Sequence, residues 1–258
     1  MNVLFEIENI DLMCYKHMFG EMDYPFIESV LTNCNGRLFG NNIISPSFLC
    51  AKIGIYCIVV GCFSEEIAKD VVEIFGNRCW IISNSKEWLD FSIKYYGTDS
   101  ELKERFSLTF KSLGANIYQD NVNVLPKGYV IKKMDMDLAN KIKNDWCKRL
   151  YGAFETVEDF CNRGVCFCIM KGNKIVSGIS SHSITPNGFE LQIMTHENFR
   201  RIGLAKIATS KFILYCLENN KIPYVEAATE ISKNFAQKLG FSFKDKYPSV
   251  FFELKKCK

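Results

Sequence analysis

The chain has 258 residues, 48% of them hydrophobic and 24% charged, which suits one large or two small globular domains and excludes a disordered or low-complexity protein. The net charge of +3 is uneven: residues 1–125 carry 10 Lys/Arg and 16 Asp/Glu, and residues 126–258 carry 22 and 13. The second part therefore favours an anionic partner, but its basic residues are scattered, with no tract of the kind that binds nucleic acid. The twelve cysteines include no CxxC pair and the chain has three histidines, which argues against a zinc site, and no metal is expected. The start of the chain lacks a basic, apolar export signal, so a cytoplasmic location and reduced, largely buried cysteines are expected.

In chain order, Tyr24–Cys34 has helical spacing. The apolar run Phe48–Phe63 is too short and too interrupted to cross a bilayer, so no membrane partner is expected; it predicts one or two core strands with Gly54 and Gly61 at bends. Ser64 and Gly76 bracket a helix, Cys79–Asn84 is a strand, and Ser85 and Gly97 bracket a second helix. Glu101–Phe110 is expected to run from helix into strand. A domain boundary is predicted near 121–129, where Asn, Pro and Gly cluster and the charge changes sign. This gives an N-terminal α/β domain over 1–125 with no chemical motif of its own, and a second domain over 126–258.

The second part predicts a strand at Tyr129–Asp135 and a helix over 137–152 with Leu138, Ile142, Trp146 and Leu150 on one face. A short helix capped by Thr156 follows. Next come a hairpin turning at Gly172–Asn173, a strand over Gly188–Thr195, a helix from Gly203 to Asn219 and a strand at 224–229. A short helix capped by Ser232 and a last strand complete the chain. The order is β–α–α–β–β–β–α–β–α–β, a mixed sheet with at least one parallel step.

The stretch QIMTHENFRRIGLA concentrates chemistry. A strand ends near Thr195, and a helix begins near Gly203 with free N–H groups and a positive dipole end. Gly203 admits close approach of a bulky anion, and Arg200 and Arg201 add charge. No GxxxxGK[ST] or GxGxxG occurs, which disfavours ATP and dinucleotides. The residues alone leave two readings open, a diphosphate cradle and a helix start with two solvated arginines.

RRIGLA resembles the (Q/R)xxGx(G/A) acyl-CoA signature of the GNAT superfamily of N-acetyltransferases, with Arg200, Gly203 and Ala205 in its fixed places. SKNFAQKLGF resembles the late helix of that superfamily, ending at Lys238–Phe241, and the element order from Tyr129 to Lys256 is similar to the same fold. Longer stretches resemble a bacterial subfamily with an extra N-terminal domain, which extends the likeness to the whole chain. The resemblance implies a mixed central sheet flanked by helices, with a smaller α/β N-terminal domain that is open to being a degenerate second copy. It implies acetyl-CoA as cosubstrate and acetyl transfer by direct attack of a primary amine, from a small molecule or a protein. Ile193, Met194 and Thr195 would receive the pantetheine arm along the strand backbone, with a backbone N–H near Met194 facing the developing oxyanion. Arg200 and the N–H groups of Arg201, Ile202, Gly203, Leu204 and Ala205 would receive the diphosphate. Ser232, Asn234 and Phe235 would border the cofactor.

Glu190 is the expected general base, with a solvent-facing carboxylate or an amine anchor as its alternatives. The sequence departs from the family at Ala236, where many relatives carry a tyrosine that protonates the leaving thiolate. Water or Tyr247 are the replacements considered, although Tyr247 also reads as a packed strand aromatic. His182 reads as structural or as facing the acceptor, and His196 as exposed. A non-catalytic acyl-CoA sensor and a nucleic-acid-binding protein are the competing readings, and a homodimer is left open.

Overall fold

The computed structural model describes residues 4–142 and 145–254. The first half builds β1 (Phe5–Ile7), α1 (Pro25–Leu31), β2 (Arg37–Gly40), β3 (Phe48–Ile53), β4 (Tyr56–Gly61), α2 (Glu65–Phe75), β5 (Arg78–Ile82), α3 (Lys86–Tyr96), β6 (Ser100–Phe110) and α4 (Ala115–Asn123). The apolar run becomes the β3–β4 hairpin, turning through Gly54 at φ +53°. Its side chains are buried on both faces, one against α1 and the other against α2 and α3, so its residues are apolar without alternation. Gly61 has φ +91° and lies where a Cβ would stand 2.4 Å from the Ser47 carbonyl oxygen, so no side chain fits.

The second half builds β7 (Tyr129–Lys133), α5 (Met136–Lys141), α6 (Val157–Arg163), β8 (Cys166–Lys171), β9 (Lys174–Thr185), β10 (Gly188–Thr195), α7 (Leu204–Glu218), β11 (Ile222–Ala227), α8 (Glu230–Gln237) and β12 (Phe241–Glu253). Three local expectations need correction. Glu101–Phe110 is strand throughout, because β6 pairs on both sides. The helix expected over 137–152 is short: α5 ends at Lys141, residues 143–144 lie outside the described residues, and Lys148–Tyr151 form a 3-10 turn. Leu150 is still buried, since a 3-10 turn also directs it to the core. The late helix starts three residues earlier than expected: Thr229 is its cap, accepting from the Ser232 N–H at 3.1 Å, so Ser232 lies inside the first turn. The cysteines among the described residues are free thiols; Cys166 and Cys168 share one buried face of β8, their sulfurs 3.6 Å apart.

The twelve strands among the described residues form one sheet, in the order β1-β2-β3-β4-β5-β12-β6-β11-β10-β9-β8-β7. Each half contains one parallel step with a helical crossover, β4–α2–β5 and β10–α7–β11. Each half also lends its last long strand to the other. β12 lies beside β5, and β6 lies beside β11. The two lent strands pair with each other from Phe241↔Phe110 to Phe252↔Ser100. The expected boundary at 125/126 falls between α4 and β7, yet the sheet runs through both halves. α4 packs on the second half as well: Tyr118 is fully buried and its hydroxyl donates to the Leu239 carbonyl, and Asn121 donates to Ser210. No helix among the described residues is long and apolar enough to cross a membrane.

Candidate active site

The site begins where two parallel strands separate. β10 and β11 pair only over Gly188–Glu190 and Ile222–Tyr224. Beyond Glu190, β10 stays paired to β9 through Thr195, while β11 pairs with β6 from Val225 to Ala227. The facing edges therefore diverge, and Leu191–Thr195 present unpaired backbone groups to the opening, each a donor or acceptor that needs a partner. Ile193 and Met194 are half-buried against the helices on either face, and the Thr195 hydroxyl lies 2.8 Å from that of Ser177.

The open end of this V meets the start of α7. Gly203 is the N-cap, at φ +87°, and no side chain caps the helix. The first N–H bonded within the helix is that of Ile207, to the Gly203 carbonyl, so the donors of Leu204, Ala205 and Lys206 are left over. A Cβ at Gly203 would meet nothing within 4 Å, so the space before the helix is open. Arg201 also has positive φ, +65°, a strained conformation for a bulky residue that turns the backbone around this opening. Arg200 is tied back by its Nε–H to the Thr195 carbonyl at 3.2 Å, while Arg201 and Ile202 are exposed. The Leu204 side chain is buried in the core, leaving only its backbone to face the opening, and Ala205 is half-buried. On α8, which packs on β6, β11 and β12, Ser232 and Asn234 are exposed and Phe235 packs partly into the core. An exposed N-terminus with unpaired N–H groups, two arginines and open space fits a diphosphate in charge and in shape.

At the closed end of the V lies a buried polar cluster, which both halves build. Glu190 is 3% exposed, so its solvent-facing alternative does not hold. Across β9 the register advances three residues, Ile184 to Ser181, while β10 advances two, Phe189 to Leu191. This bulge turns both His182 and Ser183 toward Glu190. The Ser183 hydroxyl donates to Glu190 Oε2 at 3.0 Å, and His182 Nδ1 lies 3.6 Å from the same oxygen. His182 is 6% exposed, its Nδ1 has no hydrogen-bond partner among the described residues, and its ring meets Tyr56 edge-on. Asn35 of the first half holds this bulge, its side-chain oxygen accepting from the Ile184 N–H at 2.9 Å.

Glu226 is the second carboxyl of the cluster. It shares a sheet face with Glu190 because Glu190 is in register with Tyr224, and side chains two apart point the same way. The strand register then sets its partners. Ser107 on β6 is opposite Glu226 and donates to Oε1 at 2.8 Å. Tyr247 on β12 is opposite Arg105 on β6 and donates to Glu226 Oε2 at 3.0 Å. Arg105, wholly buried, donates through Nη2 to the Glu226 carbonyl at 2.7 Å and through Nε to the Tyr247 hydroxyl at 3.2 Å. Its guanidinium carbon sits 4.8 Å from the ring centres of both Tyr56 and Trp80. Burial and the nearby charge of Glu190 push the Glu226 carboxyl up to about 8, against the lowering effect of Ser107, Arg105 and Tyr247. The Tyr247 hydroxyl is raised well above the ordinary phenol value by burial and by Glu226. Tyr247 is thus a packed strand aromatic, stacked on Tyr24 at 4.3 Å, and also a member of this network.

Arg105, Ser107 and Glu226 were not among the residues expected here. Glu226 carried a signal, a lone acid in the apolar strand YVEAA. Arg105 carried none that local spacing could read, because its hydrogen-bond partners lie more than 120 residues away. Ala236 is 3% exposed and packed in the core, so that position contributes no side chain to the V. His196 is half-buried rather than exposed: its ring packs on Trp146 and Phe199, and its Nδ1 accepts from the Asn198 N–H. A cleft of about 720 Å³ lies between β1, β2, β3 and α2 of the first half and residues 152–155 of the second; Arg37 there is already paired with Glu6 and Glu155, and Gly54 on its wall borders the His182 ring.

The comparisons with known proteins concern the whole chain and its fold. The chain is similar to the uncharacterized N-acetyltransferase YdfB of Bacillus subtilis (strain 168), 27% identical over 96% of this chain and 98% of that protein. The structure superposes on a GCN5-related N-acetyltransferase-like protein from Streptococcus suis with a TM-score of 0.85, at 24% identity over 94% of this chain and 98% of that one. A tandem GNAT protein from the clavulanic acid biosynthesis pathway shares the fold more distantly, with a TM-score of 0.52 and 9% identity over 99% of each chain. The sequence profile of the GNAT acetyltransferases spans residues 16–250, and the chain belongs to that family.

Proposed function

We propose that the protein is an acetyl-CoA-dependent N-acetyltransferase acting on a primary amine. The observation that carries this reading is one V-shaped opening with three complementary walls. These are the unpaired edge of β10 beyond Glu190, the uncapped start of α7 at Gly203, and a buried carboxylate at the apex. Leu191–Thr195 would hydrogen-bond the pantetheine arm as an added strand. Arg200, Arg201 and the N–H groups through Ala205 would hold the diphosphate, with Ser232, Asn234 and Phe235 bordering it. Acetyl-CoA supplies the activated acyl group. Glu190, oriented by Ser183 and the His182 bulge, takes the proton that the acceptor ammonium must lose before its nitrogen can attack.

Calorimetric titration with acetyl-CoA and with CoA, on the wild type and on Gly203→Glu, tests this reading. The wild type is expected to bind both, and the variant neither, because its carboxylate would occupy the diphosphate position. Absence of binding by the wild type would end the proposal. Buried Ala236 favours a second reading, an acyl-CoA-binding protein without turnover. A screen of amines for acetylation separates the two.

A further inference from the structure

The family position that would donate a proton to the leaving sulfur is the buried Ala236, while the closed end of the V holds a second carboxyl with no role in the reading above. We infer that Glu226 is the proton donor to the leaving thiolate, held in place by Ser107 and Arg105 of the first half and by Tyr247. The inference rests on the acetyltransferase reading and gives the N-terminal half a chemical task.

The geometry supports it in three ways. Glu226 stands two residues past the last β10–β11 pair, on the same sheet face as Glu190, where the strands begin to part. The acyl carbon therefore enters between a carboxyl on each strand. Glu226 has both oxygens engaged by hydroxyls, Ser107 at 2.8 Å and Tyr247 at 3.0 Å, and hydroxyls can reverse their donor and acceptor roles as a proton leaves or returns. Arg105 fixes the backbone of Glu226 and the hydroxyl of Tyr247 at once. The ionisable groups around Glu226 are Arg105 on β6, Tyr247 on β12, Glu190 on β10, His182 on β9, Tyr56 on β4 and Tyr24 before α1. Their balance keeps the Glu226 carboxyl protonated at neutral pH, while Glu190 next to it serves as base.

The step balances. The acceptor ammonium loses one proton to Glu190, which passes it to water; the free amine then attacks the acyl carbon and gives its second proton to Glu190 as the C–N bond forms. The C–S bond breaks with its electron pair going to sulfur, and the Glu226 proton follows onto that sulfur. The products are the amide and the free thiol of CoA. Glu190 and Glu226 return to their starting states by exchange with water, Glu226 through the Tyr247 hydroxyl.

The test has two arms on the full chain. In the first, carboxyl carbons of ¹³C-glutamate-labelled protein without ligand are titrated by NMR. One carboxyl is expected to titrate near pH 8 and to be missing in Glu226→Gln. In the second, CoA release from acetyl-CoA is followed across pH with an amine panel and with water alone, alongside calorimetric binding of CoA. Glu226→Gln is expected to bind CoA as the wild type does and to release it about 100-fold more slowly. The wild-type decline above pH 8 should vanish in that variant. Tyr247→Phe, which keeps the ring, is expected to fall between the two. Release by Glu226→Gln at the wild-type rate, no carboxyl titrating near 8, or no release by a wild type that binds acetyl-CoA would each overturn the inference. Failure of the wild type to bind CoA would instead overturn the acetyltransferase reading itself.

Discussion

The two helical crossovers, β4–α2–β5 and β10–α7–β11, have the same topology and opposite endings. α7 begins at a bare glycine with Arg200 and Arg201 beside it and open space in front. α2 begins at Ser64, whose hydroxyl already accepts the Ile67 N–H, and its first turn carries Glu65 and Glu66. The dipole of α2 is thus satisfied from within the chain by a cap and two carboxylates, and a diphosphate would meet repulsion there. The strands differ in the same sense. Past the β4–β5 pairs, the Ser83 hydroxyl bonds the Val59 carbonyl and bridges the gap, while β10 and β11 stay apart. One architecture thus has an open strand edge and helix start in one half and closed ones in the other. The closed half contributes instead through β6, which brings Arg105 and Ser107 to Glu226.

Three experiments would break or sharpen this contrast. The largest effect is expected from separating the halves. Residues 126–258 expressed alone lack β6, leaving the edges of β11 and β12 unpaired and Glu226 without Arg105 and Ser107. This fragment should fail to fold or should aggregate, as judged by circular dichroism and size exclusion. A soluble fragment that binds CoA would show that the first half is dispensable. The next effect follows from the raised Glu226 carboxyl. A carboxyl held near 8 in the folded state and near 4.3 in the unfolded chain stabilises the fold most below the lower value. That contribution is lost as pH rises toward 8, at about 1.4 kcal/mol per pH unit. Denaturant titrations between pH 5 and 8 should show this decline in the wild type and a shallower one in Glu226→Gln; equal slopes would remove Glu226 as its source. The smallest effect is local. Ser64→Ala should cost about 1 kcal/mol of stability through the lost cap and leave CoA binding unchanged. A changed CoA affinity in that variant would mean that α2 is not the closed counterpart of α7.

Most elements of the second half were legible because their signals are local. Gly172–Asn173 turns the hairpin, Thr156 caps α6, and Arg200–Gly203–Ala205 lies at a strand-to-helix passage. The cap of α8 was misplaced because Thr229 and Ser232 are both good caps and only geometry selects one. The helix expected over 137–152 shows the limit of periodicity. Leu138 and Leu150 do face one core, but a short helix and a 3-10 turn achieve this as well as one long helix. The strand β6 was read partly as helix because ELKER has good helix formers, and its pairing with β11 and β12 outweighs that preference.

The sequence by itself determined the family, the strand-to-helix turn before α7 and the acid of β10, because a helix start, a strand and a glycine are each encoded by neighbouring residues; the burial of that acid was not among them. Only the tertiary structure decided that the halves share one sheet, that a bulge in β9 aims His182 and Ser183 at Glu190, and that Arg105 reaches Glu226 and Tyr247. The shared sheet and the reach of Arg105 depend on register between strands more than 100 residues apart, and the β9 bulge is held from the first half by Asn35; such register follows from the packing of whole faces, which no local spacing records.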